Sequence, residues 1–234
     1  MRLAKNKTKR NFREPPEPTG GKSDDQSAMS QPSGIKTNSK PGKKTKMPIS
    51  LKPMLAVLVD KPFDDNGWIY EVKWDGYRAL SFLQKKKVII KSRNDKLFNE
   101  KFYPVTHALA ELNLNAVVDG EIVTVNEKGI SDFGALQNWR SEADGELYYY
   151  LFDLLWLNGY DLKELPLSGR KKLLESVIPE TGIIKFSKSF QSSGVEFFES
   201  AKKLGLEGIV AKKSESTYLP GIRSGDWVKI KAGK

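Results

Sequence analysis

From Trp68 to Asp75 the chain alternates. Trp68, Tyr70, Val72 and Trp74 fall on one side of an extended backbone, and Ile69, Glu71, Lys73 and Asp75 fall on the other. A period of two fits a strand and excludes a helix, so Glu71, Lys73 and Asp75 must share a face. Gly76 follows and permits a turn or a close backbone approach. A lysine set among aromatics can be desolvated, which favours the neutral amine and makes it a nucleophile. Taken alone, Glu71–Arg78 also fits a surface lysine on an edge strand.

The rest of the chain supplies context. Strands are expected at 68–74, 77–84 and 87–92, with the Lys85–Lys87 run either a solvated turn or a contact to nucleic-acid phosphate. Residues 99–113 read as a helix with Phe102, Val105, Leu109 and Leu112 on one face. His107, the only histidine, falls in that helix and has no second histidine to share a metal with. A strand over 116–125 is interrupted by Asp119-Gly120-Glu121, and Ser131-Asp132 can cap a short helix through Trp139. Residues 146–157 form a strongly apolar strand, and Asn158-Gly159 ends it. A helix capped by Ser168, strand 182–187, helix 194–204, and strands 207–213 and 226–231 complete the pattern. Early hairpins and later crossovers predict an α+β or mixed α/β domain of antiparallel-rich sheets flanked by helices.

Charge divides the chain in two. Residues 1–47 hold 12 Lys/Arg against 4 Asp/Glu, a net +8, whereas residues 48–234 hold 27 against 25. The first segment is rich in Lys, Ser, Pro and Gly and has few apolar residues, so a disordered basic tail is expected over 1–47, with an ordered domain over 48–234. Such a tail favours polyanions such as nucleic acid. The absence of cysteine excludes disulfides, zinc–thiolate sites and thiol nucleophiles. No apolar run is long enough to span a membrane, and the basic N-terminus lacks the apolar segment of a secretory signal.

Several charged clusters break otherwise apolar strands: Lys73 with Asp75, Ser92-Arg93-Asn94, Asp119-Gly120-Glu121, Glu207-Gly208, and Lys229 with Lys231. Charges in strands are costly to bury unless they pair or face a ligand. Five clusters of both signs suggest a site for a polyphosphate and its metal. Neither a Gly-Lys-Ser/Thr phosphate loop nor a G-x-G-x-x-G turn is present.

In this order the clusters resemble the motifs of ATP-dependent DNA ligases. Lys73-Trp74-Asp75-Gly76 with Arg78 is similar to their K-x-D-G-x-R nucleotidyltransferase motif. Ser92-Arg93-Asn94, Asp119-Gly120-Glu121, Phe152-Asp153, Glu207 to Lys212, and Trp227 to Lys231 resemble the motifs that follow. Glu71–Arg78 and Tyr218–Ser224 look like the ligase domain of bacterial end-joining ligase D, and Lys9 to Pro18 is similar to a segment that opens the phosphoesterase module of such chains.

The resemblance implies an ATP-grasp-like nucleotidyltransferase domain that uses ATP with Mg²⁺ or Mn²⁺. It implies that Lys73 is the nucleophile that carries AMP, and that Lys229 and Lys231 hold the α-phosphate. Glu71 would meet the adenine edge, Phe152 and Val210 the adenine faces, and Glu121 the ribose or metal waters. Glu207, with Glu121, would bind the metal. Arg78 would reach ribose or the DNA 5′-phosphate, with Arg93 and Arg223 on DNA phosphates. Without the motif, Phe152 reads as core. The implied partner is nicked or broken DNA in the bacterial cytoplasm at the nucleoid.

Ligases of this kind continue into an OB-fold domain, and this sequence stops at Lys234. The expectation is therefore an adenylation domain that depends on a separate OB-fold module, with a polymerase or end-binding protein as further partners. Two alternatives stay open: an RNA ligase or capping-type enzyme using the same lysine, and an impaired remnant that binds DNA through its tail.

Overall fold

The computed structural model describes residues 42–233. Most of the expected basic tail, residues 1–41, thus lies outside the described residues.

In chain order the strands are β1 (Lys43–Lys44), β2 (Leu55–Leu58), β3 (Trp68–Val72), β4 (Tyr77–Lys85) and β5 (Lys87–Ser92), then helix α1 (Tyr103–Glu111) and β6 (Leu114–Thr124). Helix α2 (Phe133–Asn138), β7 (Leu147–Leu157), β8 (Tyr160–Asp161) and α3 (Leu167–Val177) follow. The chain closes with β9 (Ile184–Phe186), β10 (Ser189–Phe190), α4 (Gly194–Lys203), β11 (Gly208–Lys213) and β12 (Arg223–Lys231).

These strands build two sheets. The larger runs β1-β8-β7-β6-β4-β5, with β9 parallel along β7; the smaller runs β10-β3-β11-β12-β2, antiparallel except for β2 beside β12. The period of two on each strand sorts side chains into layers. From β4, Ala79 and Leu83 pack outward with Phe102, Val105 and Leu109 around α1. Leu80 and Phe82 of the same strand pack inward with Phe152, Ile69 and Trp227, between the sheets. On the far side of the smaller sheet, Tyr70, Ile209, Ala211, Val228 and Ile230 bury against Phe198 and Ala201 of α4. The alternation expected of residues 68–72 is observed, with Ile69 on the inter-sheet face and Tyr70 on the α4 face. The chain is an α+β domain of antiparallel-rich sheets flanked by helices.

Burying strands of this composition leaves two carboxylates, Asp119 and Asp153, fully enclosed and paired across β6 and β7. Unpaired, they would repel each other in a weakly polar interior. Each instead has its own arginine fork. Arg78 donates to Asp119 at 2.5 and 2.6 Å, and Arg170 donates to Asp153 at 2.7 and 2.9 Å. Tyr218 adds an O–H donated to Asp119 at 2.5 Å. Arg170 also donates to the Ser216 carbonyl at 3.0 Å and to that of Leu165, so it ties α3 to β7 and to the turn after β11.

Several boundaries differ from those expected. Ordered chain begins before Pro48, because Lys43–Lys44 pairs with Tyr160–Asp161 through backbone groups alone, which composition cannot register. Helix α1 starts at Tyr103 rather than 99; Pro104 lacks an N–H and suits only the first turn. As expected, β6 is one strand through Asp119-Gly120-Glu121, and the break there is in its register with β7, which shifts between Asp119 and Gly120. Pro166, not Ser168, precedes α3, and the Ser168 hydroxyl donates to Glu215 at 3.2 Å. His107 is exposed, edge-on to Tyr103. Among the described residues no helix is long and apolar enough to cross a membrane.

Asp153→Ala strands the buried Arg170 guanidinium. It should lower unfolding stability by about 3–5 kcal/mol, read as a shift of the urea midpoint. An unchanged midpoint would show that Arg170 finds solvent when the carboxylate is removed.

Candidate active site

The smaller sheet turns an apolar face to α4, and the other face of β3, β11 and β12 carries Glu71, Val210, Lys212 and Lys229. These meet Arg78, Glu121 and Phe152 of the larger sheet across a cleft of about 200 Å³. Lys73, Trp74, Arg93, Ser187, Arg223 and Trp227 also line it. Of the residues expected at the site, only Glu207 and Lys231 lie outside this lining, in the adjoining groove with Asp75 and Lys202.

Lys73 sits one residue beyond β3. Its backbone N–H donates to the Gly208 carbonyl at 3.0 Å, and the Ala232 N–H donates to the Glu207 carbonyl at 2.9 Å. Gly208 has φ 145°, and a Cβ there would meet the Ile230 oxygen at 2.0 Å, so only glycine permits this approach. The pinning delivers Glu207 to Lys73, whose Nζ hydrogen-bonds Glu207 Oε2. Lys231 Nζ is 3.8 Å from the other Glu207 oxygen. Gly76 closes the same turn from the opposite side, where a Cβ would meet the Ile122 carbonyl oxygen at 2.2 Å.

Glu71 is buried with each carboxylate oxygen on a different lysine, Lys171 and Lys212, both at 2.8 Å. Burial opposes its charge, but the two ammonium groups outweigh it and hold the carboxyl below its ordinary value. For Lys212, burial dominates over Glu71 and brings the amine down to about 8. Phe152 is buried as a core side chain would be, with the Arg78 guanidinium 4.4 Å and the Lys212 amine 4.2 Å from its ring centroid. Trp74 stacks on Tyr150 at 3.7 Å and 11°, and its indole N–H donates to the Ser187 hydroxyl at 3.3 Å.

Glu121 is the contrasting acid. It faces the cleft without a hydrogen bond or ion pair among the described residues. Burial pushes its carboxyl up to about 8, against the opposing charges of Arg78 and Lys73, and Asp119 and Glu207 add to the rise. Lys229 is depressed by burial and by the like charges of Lys73, Lys231 and Arg223 around it. Arg93 and Arg223 are exposed at the rim. Arg93 also lines a second groove with Lys96, Lys101 and Asn94 that shares Arg78 and Glu121 with the cleft. The whole is a cationic cleft with two available acids, suited to a polyphosphate. No three His, Asp or Glu side chains converge among the described residues. A Mg²⁺ held by one or two carboxylates and completed by substrate phosphates fits Glu207 and Glu121.

Sequence reasoning missed Ser187 and Trp227 as parts of this wall, and Lys171 as the buried amine that holds Glu71 and the Ser187 carbonyl from behind it. Trp227 lay inside a quoted motif. Lys171 sits in the run Arg170-Lys171-Lys172, which reads as a solvated basic turn of helix.

A family model described as "ATP dependent DNA ligase domain" matches residues 53–231. The multifunctional non-homologous end joining protein LigD of Pseudomonas aeruginosa is 39% identical over 196 residues, covering 82% of this chain and 23% of that protein. The protein of the same name from Mycolicibacterium smegmatis is 36% identical over 192 residues, covering 80% and 24%. The chain thus spans about a quarter of the length of these relatives. A solved structure described as mycobacterial DNA ligase D complexed with ATP and MES superposes with TM-score 0.68 at 32% identity, over 77% of this chain and 60% of that one.

The state of Glu121 gives a sign to the pH dependence. A carboxyl raised to about 8 keeps a proton that the unfolded chain has lost. Stability therefore falls as pH rises from the ordinary glutamate range to about 8 and levels off above it. Glu121→Gln should remove this decline, so the variant gains on the parent as pH goes from 5 to 8.5 in urea unfolding. Parallel curves would mean that Glu121 is ionised in the folded protein.

Proposed function

We infer that this cleft adenylylates its own lysine, starting from the fact that the chain belongs to the ATP-dependent DNA ligase family. Its described body is the family's nucleotidyltransferase domain, and DNA is the family's substrate. What carries the reading is that Lys73 and Glu207, 134 residues apart, are in hydrogen-bond contact at the end of a cationic cleft.

In this reading the unprotonated Lys73 Nζ attacks the α-phosphorus of ATP. An N–P bond forms, the P–O bond to the β-phosphate breaks, and pyrophosphate leaves. Glu207, already accepting a hydrogen bond from Nζ, stands where the amine's proton must go. Lys229 and Lys231 offset charge on the α-phosphate. Glu71 faces the adenine edge, Phe152 and Val210 bound the adenine faces, and Glu121 meets the ribose hydroxyls. Glu207 and Glu121 would hold Mg²⁺ or Mn²⁺, which supplies charge neutralisation on the phosphates.

An oxygen of a DNA 5′-phosphate, held by Arg93 and Arg223 with Arg78 behind them, then attacks the lysyl-AMP phosphorus. The P–N bond breaks and Lys73 recovers its proton. A 3′-hydroxyl displaces AMP from the activated end to complete the join. The similarity to end-joining proteins supports broken or nicked DNA in the bacterial cytoplasm, at the nucleoid, as the setting. A separate OB-fold module, a polymerase and an end-binding protein are the partners this role calls for.

The test is covalent labelling. Protein incubated with α-labelled ATP and Mg²⁺ should carry acid-labile label after denaturation, Lys73→Ala none, and α-labelled GTP should give none. Label with GTP and not ATP would support a capping-type enzyme instead. Lack of label from either would refute self-adenylylation by this chain.

A further inference from the structure

Lys171 lies on α3, beyond every charged cluster of the cleft, and does not line the cavity. It is nonetheless buried, and its Nζ reaches two wall residues at once: Glu71 Oε1 at 2.8 Å and the Ser187 carbonyl at 3.0 Å. Ser187 is fixed from the other side by its N–H donated to Leu151 at 2.8 Å, and its hydroxyl holds the Trp74 indole. One ammonium therefore ties β3, the link between β9 and β10, and through it the stacked Trp74. A lysine on an amphipathic helix ordinarily places its head in water. Here the helix spends two of its four buried positions on charges, Arg170 and Lys171.

We propose that Lys171 is a positioning residue for nucleobase selection: it and Lys212 divide the Glu71 oxygens between them, so that an ionised acceptor edge faces the cleft. This rests on the reading above that Glu71 meets the adenine edge. A carboxylate has about four acceptor positions, and two lysine contacts leave the others open. An acceptor edge welcomes the 6-amino group of adenine, a donor, and opposes the 6-carbonyl of guanine, an acceptor. Lys212 alone would not suffice. Without Lys171, one ammonium can draw both oxygens toward itself, turn the carboxylate off the cleft and consume the open lone pairs. The Ser187 carbonyl would also lose its donor, and with it the wall that carries Trp74.

The experiment is self-labelling at Lys73 with ATP and with purine riboside triphosphate, the analogue without the 6-amino group, on the full chain. Lys171→Met should raise the ATP concentration for half-maximal labelling about tenfold and leave the rate at saturation unchanged. The preference for ATP over the analogue should shrink with it. Lys171→Arg, which can still donate to both partners, should restore most of the preference. In a Glu71→Gln background, Lys171→Met should add little. If Glu71→Gln leaves the preference intact, the assignment of Glu71 to the base is wrong. If Glu71→Gln abolishes the preference and Lys171→Met does not, the role proposed for Lys171 is overturned. A loss equal for both nucleotides, or confined to the saturated rate, would also overturn it and leave Lys171 a packing residue. Urea midpoints of all variants separate these outcomes from unfolding.

Discussion

The space between the two sheets is held together by charge removed from water. Hydrophobic side chains fill most of it, but Glu71, Asp119 and Asp153 are buried there as carboxylates. None could stay ionised alone. Each is met by cations drawn from a different part of the chain: Arg78 from β4, Arg170 and Lys171 from α3, Lys212 from β11. Replacing such pairs by apolar residues is often neutral for stability, so stability alone does not explain them. What they supply is register. Helix α3 cannot slide on β7 without breaking Arg170 from Asp153 and Lys171 from Glu71 together.

The same network divides the acids of the cleft by role. Glu71, between two ammonium groups, remains an anion with fixed orientation. Glu121, with no partner among the described residues, is raised toward neutrality by the burial that Glu71 overcomes. Glu207 is held by Lys73. Three glutamates of identical chemistry are thus an orienting acceptor, a group that titrates near neutral pH, and a proton neighbour of Lys73. Neighbouring charge, and not residue type, separates them.

How much of this the sequence discloses depends on distance along the chain. The alternation at 68–75 is a local signal. It placed Glu71 on the cleft face, but the strand ends at Val72, so past it the two-face sorting fails: Val72 and Trp74 line the cleft with Lys73, and Asp75 lies in the adjoining groove. The ordered clusters brought Arg78, Glu121, Phe152, Val210 and Lys229 to the same cavity. Lys171 had no such signal. Beside Arg170 and Lys172 it looks solvated, and only the packing of α3 against the sheets reveals that Arg170 and Lys171 point inward while Lys172 remains at the surface. Likewise β1 is two lysines, exposed and polar, and exists because its backbone completes the edge at β8. Pattern reading detects side chains sorted by water; it is blind to strands made by backbone alone and to charges whose partners lie a hundred residues away.

The location of Lys73, the proposed nucleophile, follows from the same logic. Lys73 is on neither sheet but in the short passage from β3, in the smaller one, to β4, in the larger. A side chain there would be loose if only one end of the passage were anchored. Both ends are fixed by backbone approaches that exclude a Cβ, Gly208 near Lys73 and Gly76 against Ile122. A reacting atom misplaced by about 1 Å can cost a hundredfold in rate. Glycine at these two positions converts the packing of two rigid sheets into the placement of one amine. The buried ion pairs that fix those sheets therefore govern the geometry of the site, Arg170–Asp153 among them without lining it.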